Sequence, residues 1–242
     1  MAEQFHDFRM VWILKWLKKE NDVAMHYNMC FLGGFLGAYA MFLRVGNFGS
    51  AQTGNLIEEV IVGHSGEWPE LLLRLGALVI YVAGIIASFL MGKHFKERMP
   101  RVCLFVEALG LIIAGVIPES ANAIGALYPI FFITSFQWGV FSGAKGYNSA
   151  TIFSTNNVKQ AVLGWTEYIR TKDLKQKDKA KFYTLTLTCF HAGVAAGFGA
   201  VNFWSALGAW AGLIPLLSAF GLTVIADQVL EEKKAPANKL AM

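Results

Sequence analysis

Six long apolar runs alternate with shorter polar segments along the chain, and this pattern predicts an all-α membrane protein. A membrane core about 30 Å thick requires roughly 20 apolar residues per helix, and each run approaches that length. The runs cover 24–45, 70–92, 102–118, 122–143, 182–203 and 206–226. We therefore expect a polytopic bundle of six transmembrane helices. The boundary before the last run is the weakest, because hydrophobicity barely falls there.

A short segment before the first run, "FRMVWILKWLKK" at 8–19, mixes tryptophan and lysine and is too short to span. Such a composition suits a helix lying at the level of the lipid headgroups; a solvated cytoplasmic helix is the alternative. The chain is thereby divided into an amphipathic cytoplasmic or interfacial segment 1–23, a membrane domain 24–228, and a cytoplasmic tail 229–242.

Lysine and arginine in the loops predict the orientation of the spans. The 93–101 loop holds four basic residues and one acidic residue, and the 159–181 region holds seven basic and three acidic residues. By contrast, the 46–70 region has four acidic residues and no lysine or arginine. Basic loops stay on the cytoplasmic side. Six spans with both termini in the cytoplasm satisfy every loop at once.

Composition agrees with this class and narrows the functions. Of the 242 residues, 55% are hydrophobic and 16% are charged, whereas a soluble domain is about a quarter charged. We expect no nucleic-acid partner, because the basic residues lie in loops where insertion topology explains them. The three cysteines fall in apolar segments without metal-ligand spacing, so we expect packing roles, no metal and no cofactor. Catalytic motifs such as GxSxG, HExxH or a P-loop are missing from the sequence, so we expect no enzyme.

Two polar interruptions suggest an internal repeat. They are "NFGSAQTGNLIEEVIVG" at 47–63 and "ATIFSTNNVKQAVLGW" at 150–165. An offset of 102 aligns three pairs, which are Gly37 with Gly139, Thr53 with Thr155, and Asn55 with Asn157. Repeats of about 24–118 and 122–228 would each hold three spans. Since three is odd, the second repeat would be inverted relative to the first, as in many transporters.

Each interruption could begin a broken or re-entrant half-helix. Threonine and asparagine are good helix N-caps, and each is followed by apolar residues at helical spacing. Helix N-termini offer free N–H groups and partial positive charge. Two such termini meeting inside the bundle would form a small polar site. An ordinary surface loop followed by a short interfacial helix is the alternative.

The candidate binding residues follow from these interruptions and from polar residues inside the apolar runs. The expected lining residues are Thr53, Gly54, Asn55, Thr155, Asn156 and Asn157. The supporting polar residues are Gln137, His191 and Glu107.

The supporting residues have alternatives that the sequence leaves open. Gln137 should face the bundle interior, because an amide is costly against lipid. Glu107 belongs either to a polar network or to a shallow interfacial position. His191 is either a neutral residue bonded to a neighbouring helix or a proton relay. Arg44, at the end of the first run, either holds an anion or snorkels to the interface.

At "GGFLGAYA", "NFGSAQTGN" and "SFQWGVFSGAKGYNSATIFSTNN" the chain resembles the YoaK family, a group of six-span bacterial membrane proteins of unknown function. The resemblance covers roughly 24–228 and implies a bacterial cytoplasmic membrane location. Thr53, Gly54, Asn55, Gln137 and Thr155 match the family pattern by position.

Two positions depart from that pattern. Gly37 stands where many members carry an acidic residue, and Asn156 stands where glycine is frequent. If the acidic residue serves proton coupling in relatives, this chain must use another group or lack coupling.

We therefore expect a transporter or channel for a small polar solute or ion. A non-transporting membrane scaffold or sensor that binds a partner protein is the alternative, and Gly-rich helix faces would also suit a homo-oligomer. A polar cavity open to one side would favour transport, whereas a dry, tightly packed centre would favour the scaffold.

Overall fold

The architecture comes from a computed structural model that describes the backbone of 2–44, 49–50 and 52–239 and the side chains of 20–44, 49–50 and 52–227. Part of the first interruption, 45–48 and 51, therefore lies outside the described residues. So do the side chains of the predicted interfacial segment at 8–19 and those of the tail.

The described chain is helical apart from one small hairpin, which confirms the all-α class. Its helices are α1 Ala2–Leu43, α2 Gln52–Ser65, α3 Trp68–Phe95, α4 Met99–Val116, α5 Tyr128–Val140, α6 Thr155–Thr171, α7 Leu174–Trp204 and α8 Leu213–Lys239. Short 3₁₀ segments occur at Lys96–Arg98, Gly125–Leu127 and Ser205–Gly212. The antiparallel strands β1 (Gly143–Ala144) and β2 (Tyr147–Asn148) form the hairpin.

Two stretches of the described chain, Trp68–Val116 and Leu174–Asp227, are long and apolar enough to cross a membrane. Each contains two helices, α3 with α4 and α7 with α8. Only 22% and 28% of the most apolar 18-residue segments of these two stretches are buried inside the protein. A core helix of a soluble protein would be mostly buried, so these helices instead present apolar surface outward, as expected of helices in lipid.

Helix starts in this chain coincide with proline and with a side-chain cap. Pro69, Pro100 and Pro129 occupy the first turns of α3, α4 and α5, where a missing backbone N–H has no cost. Asp173 caps α7 by accepting a hydrogen bond from the backbone N–H of Lys175 at 2.9 Å. These local signals set the lengths of the long helices.

One end of the bundle is joined by Arg44, and we call it the Arg44 end. Arg44 is buried and donates hydrogen bonds of 3.0–3.2 Å to the carbonyls of Ile117, Pro118 and Glu119 after α4. Ser205, after α7, also contacts Glu119. The helices α1, α4 and α7 therefore finish together. Arg44 therefore binds backbone carbonyls, an arrangement that differs from both sequence-based alternatives, anion binding and snorkelling.

The opposite end, which we call the Arg101 end, joins the middle of α1 and the start of α4 to α8. Asn21 donates to the carbonyl of Leu222 at 3.1 Å. Arg101 donates to the hydroxyl and carbonyl of Thr223 at 3.2 and 3.3 Å, and it pairs with Asp227. The helix α8 thus runs from the Arg44 end to the Arg101 end.

Close packing pairs helices from different halves of the chain. The helix α1 lies along α7 and α3 lies along α5. A Cβ at Gly34 would lie 1.9 Å from the carbonyl oxygen of Phe190, and one at Gly193 would lie 1.9 Å from that of Phe31. Only glycine allows these backbones to approach so closely.

The α3–α5 contact is built in the same way. A Cβ at Gly84 would lie 2.6 Å from the carbonyl oxygen of Phe132, and one at Gly139 would lie 1.9 Å from the Ser88 hydroxyl. Gly37, which the repeat aligns with Gly139, has no such contact, since no described residue beyond its own helical turn lies within 4 Å of a Cβ placed there.

Candidate functional site

The break between α5 and α6 enters the bundle interior. After the hairpin, the chain returns to α1, where a Cβ at Gly33 would lie only 2.1 Å from the carbonyl oxygen of Thr151. Gly33 is near the middle of the apolar run 24–45. Because Gly33 has no side chain, the polar backbone of the break can contact α1 near the middle of this apolar run.

A buried hydrogen-bond network ties this break to α1 and α6. His26 Nε2 and Ser149 Oγ are 3.0 Å apart, and Ser149 donates to Asn157 Oδ1 at 2.9 Å. Asn157 Nδ2 donates in turn to the carbonyl of Ala150 at 2.8 Å. The imidazole of His26 stacks on Phe182 of α7 with ring centroids 5.2 Å apart. Three helices thus fix the geometry of the break.

Gln137 extends the network to α5. Its amide nitrogen donates to the carbonyl of Met29 and to the hydroxyl of Thr151, each at 2.9 Å. Gln137 and Thr151 are fully buried. The expectation that Gln137 faces the interior is therefore met, and its amide joins α5 to both α1 and the break.

Several polar atoms around this network are buried without a hydrogen-bond partner among the described residues. They are His26 Nδ1, Gln137 Oε1 and Thr186 Oγ1. Thr186 is one helical turn beyond Phe182, which stacks on His26. Buried polar atoms normally have partners. These three could therefore bind a hydrogen-bonding solute or an ion.

The break before α2 is anchored in a corresponding manner. Thr134 of α5 donates to the carbonyl of Gly49 at 2.7 Å, and Tyr81 of α3 donates to that of Ser50 at 3.2 Å. Thr134 and Gln137 are three residues apart and so lie within one helical turn of α5. Both breaks therefore contact the same turn of α5.

Of the six predicted lining residues, Asn157 is the one buried in the network. Thr155 and Asn156 are exposed, and the N-cap residue of α6 makes no side-chain cap hydrogen bond. Thr53 and Gly54 are also exposed. Asn55 is half-buried, with its amide 3.4 Å from Gln52. Among the described residues, 49–50 and 149–152 are buried ahead of the two short helices, whereas Thr53, Gly54, Thr155 and Asn156 at the helix starts are exposed.

The remaining supporting residues lie apart from the network. His191 is exposed, and its Nδ1 is 2.7 Å from the carbonyl of Leu187 on its own helix. Glu107 is fully buried on α4, and neither carboxyl oxygen has a hydrogen-bond partner by geometry among the described residues. The thiol of Cys103, one turn earlier, is beside that carboxyl.

Sequence reasoning missed three members of the network, His26, Ser149 and Thr151, and the neighbouring hydroxyl of Thr186. Ser149 and Thr151 belong to the quoted "GYNSATIF", so an apolar loop carrying alternating hydroxyls was the available signal. His26 is at the start of an apolar run and gives no local sign of its contact with Ser149, which is 123 positions away.

A cavity of about 470 Å³ opens at the Arg101 end between α1, α4, α5 and α8. Its polar and charged lining residues include Asn21, Asp22, Arg101, Lys145, Thr223 and Asp227. The hairpin forms one wall. Burial, together with the nearby Asp178 carboxylate, raises the pKa of the Tyr147 hydroxyl in that hairpin. The cavity gives the bundle a polar opening on one side.

Comparison with known proteins gives a family and no activity. The family model described as "Protein of unknown function (DUF1275)" matches residues 25–225. No curated protein and no solved structure matches the chain.

Proposed function

The chain belongs to the DUF1275 family of proteins of unknown function, and we propose that it is a membrane transporter or channel for a small polar solute or ion. In this proposal the bundle crosses a bacterial cytoplasmic membrane six times, as the likeness to the YoaK family implies. Both termini lie in the cytoplasm, as the lysines and arginines of the loops predict. The basic loops then lie at the Arg101 end, which would be the cytoplasmic end.

Paired contacts support the six spans and the inverted repeat. The ends of α1, α4 and α7 meet at the Arg44 end, whereas α8 finishes at the Arg101 end. If α5 is the counterpart of α1 and α7 that of α3, the α1–α7 and α3–α5 contacts are equivalent. The α1–α8 and α4–α5 contacts are equivalent by the same rule. Such exchange of helices between halves suits a bundle with pseudo-two-fold symmetry.

The observation that carries the transport proposal is the meeting of both breaks on one turn of α5. Thr134 holds the first break and Gln137 holds the second. Irregular backbone survives at membrane depth only where protein shelters it or water reaches it. Polar side chains in such a position are costly to bury, and in membrane proteins they commonly mark a solute or ion pathway. The unpartnered atoms of His26 and Gln137 are consistent with a solute site.

The chemistry of the network limits the solute. Its side chains are one imidazole, two amides and two hydroxyls, with the Thr186 hydroxyl beside them, and none carries a fixed charge. We therefore favour a neutral hydrogen-bonding solute, or a small ion coordinated by hydroxyl and carbonyl oxygens, over a polyvalent anion. The charged side chains lie in the cavity at the Arg101 end, where they would act on solute before it reaches the network.

Hydrolytic catalysis is not proposed. Histidine, serine and asparagine do meet in the network, but Asn157 accepts its hydrogen bond from Ser149 instead of orienting His26. A catalytic triad requires the third group to hold the imidazole. The contact here is a structural anchor of the break.

Reconstituted vesicles test the proposal directly. Light scattering after mixing with glycerol, urea or other small neutral solutes reports solute flux, and ion-sensitive dyes report ion flux. We expect protein-dependent flux that Asn157→Leu and Gln137→Leu abolish, because both side chains belong to the buried network. Thr166→Leu is the control, because its exposed hydroxyl bonds only to Val162 within the described chain. If both network variants carry the solute normally, the site assignment is wrong.

A scaffold or sensor is the second candidate, and one feature favours it. The helix α6 exposes Val158, Val162 and Ile169 while packing on α7, so an apolar face is available to a partner protein or to lipid. Absence of flux for every solute, combined with stable co-purification of a partner that Val162→Glu disrupts, would support this function.

A further inference from the structure

Glu107 is a carboxyl group enclosed by the bundle. It is 0% exposed on α4, on the same face as Cys103 and Leu111, which are also 0% exposed. Neither of its oxygens has a hydrogen-bond partner by geometry among the described residues. The Cys103 thiol beside it supplies no positive charge. The structure therefore leaves this carboxyl without any compensating cation in contact.

Charged and titratable groups occur on the elements packed around α4, but none forms an ion pair with Glu107. Among the described side chains they are Glu70, Arg74, Tyr81, Lys93 and His94 on α3, the charged residues of Lys96–Arg98, Tyr128 on α5, and Asp227 on α8; α1 and the residue after it add Glu20, Asp22, His26, Tyr27, Cys30, Tyr39 and Arg44. The Ser205–Gly212 segment contributes none. Arg101 is engaged by Asp227, and Arg74 by Glu70. These two arginines therefore already have carboxylate partners.

Glu107 lies at the same depth as the polar network. A Cβ at Gly110 would lie 2.2 Å from Ile133 Cγ2 of α5. The helix α4 begins at the Arg101 end, whereas α5 finishes there, since Val140 and Arg101 line the same cavity. In this antiparallel pair, Gly110 and Ile133 lie at the same depth. Toward the Arg101 end, Gln137 is one turn from Ile133 and Glu107 is about one turn from Gly110. The two polar groups are therefore level with each other.

The cavity at the Arg101 end comes close to this level. Arg101 lines it and precedes Glu107 by six residues, which is about 9 Å along a helix. Met25 and Phe141 are buried and also line the cavity. A modest separation of α4 from α1 and α5 would join Glu107 to water in the cavity.

We propose that Glu107 is the proton-binding site of the bundle, protonated in this conformation and in exchange with cavity water when the Arg101 end opens. The proposal rests on the transport function above and assigns it a coupling ion. An ionised carboxylate enclosed without a partner is strongly disfavoured, so the enclosed form is the neutral acid. On opening, the O–H bond breaks, the proton passes to water, and the carboxylate becomes hydrated; closing reverses each step.

Infrared spectroscopy of the full chain in lipid membranes tests this proposal. We expect a carboxylic-acid C=O band at neutral pH that disappears in Glu107→Gln and remains in Glu119→Gln, whose carboxyl is exposed. Glutamine mimics the neutral acid in size, so the variant should retain its helical structure. A wild-type spectrum without a band assignable to Glu107 would overturn the proposal.

Transfer into D₂O gives the second readout. Exchange with cavity water predicts that the Glu107 band shifts within the time that the bundle needs to open. A band that stays unshifted after prolonged incubation would show that this proton never meets water, which overturns the coupling role. Solute flux in vesicles is measured separately. Flux that persists while either infrared test fails would reject the proton site and leave the transport function standing.

Discussion

Tyr81 and Tyr183 lie 102 positions apart, and each donates its hydroxyl hydrogen bond to a carbonyl in a helix break. Tyr81 of α3 reaches Ser50 at 3.2 Å, and Tyr183 of α7 reaches Asn148 at 2.8 Å. The same spacing relates Asn55 to Asn157. Each break is thus tied to the helix that follows its own short helix.

Removing these hydroxyls should weaken the two breaks by similar amounts. We expect Tyr81→Phe and Tyr183→Phe each to lower the free energy of unfolding by about 1 kcal/mol, since each loses one buried hydrogen bond. Denaturant titration in detergent micelles measures the change. Tyr168→Phe is the control, because its hydroxyl makes no hydrogen bond within the described chain. Equal stability of all three variants would show that the tyrosines do not anchor the breaks.

Gly34 and Gly37 provide a matched pair of glycines on α1. Gly34→Ala places a Cβ 1.9 Å from the Phe190 carbonyl oxygen, so α7 must shift, and we expect a loss of about 1–3 kcal/mol. Gly37→Ala meets no described residue beyond its own helical turn and should be neutral or stabilising, because alanine favours helix. A thiol-reactive dye measures thermal unfolding through the buried Cys30 and Cys103. Equal destabilisation by both changes would contradict the packing of α1 on α7.

Asn157 and Asn156 are neighbours with opposite surroundings. Asn157→Asp replaces an amide that donates to Ala150 with a carboxylate facing that carbonyl, and we expect a loss of about 1–3 kcal/mol. Asn156 is exposed in the first turn of α6, where negative charge complements the helix N-terminus. The free energy of unfolding of Asn156→Asp should therefore be unchanged or slightly higher. The same thermal assay compares them. If Asn156→Asp destabilises the protein more than Asn157→Asp does, the assignment of the buried amide to Asn157 is wrong.

Arg44 should be more important to stability than an exposed arginine. Its guanidinium donates to three carbonyls beyond α4, and a hydrogen bond from a charged donor contributes about 1.5–3 kcal/mol. We expect Arg44→Met to lower the unfolding free energy by at least that amount and Arg44→Lys to recover only part of it, because lysine lacks the planar fork. Arg170→Met on the surface of α6 should change little. If Arg44→Met leaves the free energy of unfolding unchanged, the hydrogen bonds from Arg44 to these carbonyls do not stabilise the protein.

The sequence predicted helix positions well where turn chemistry was local. The predicted runs from 70 and 102 begin within three residues of α3 and α4, whose first turns contain Pro69 and Pro100. By contrast, α5 begins at Tyr128, six residues after the predicted start of its run. The weak boundary before the last run has a structural reason. Ser205 has a positive φ of 50°, and the 3₁₀ segment Ser205–Gly212 that follows is apolar, so a change of helix geometry occurs there without a drop in hydrophobicity.

The site was harder to predict, because its members meet only after the helices pack. Gln137 stood out as a lone amide in an apolar run, and Asn157 stood out by its spacing. His26 did not, since it is at the start of an apolar run and its contact with Ser149 joins segments that are 123 positions apart. The exposed positions of Thr53 and Thr155 likewise reflect tertiary placement, which a capping pattern cannot specify.

The exchange of partners between halves has a consequence for biogenesis. The glycines of α1 contact α7, which follows α1 in the chain by well over a hundred residues. The helix α3 likewise packs against α5, which is made after it. Such long separations slow assembly. In an N-terminal fragment that ends after α4, the glycine-containing faces of α1 and α3 would lack the helices that pack on them. We therefore anticipate that the ribosome must release nearly the whole chain before the first helix finds its permanent neighbour, and that insertion machinery or chaperones must shield it until then.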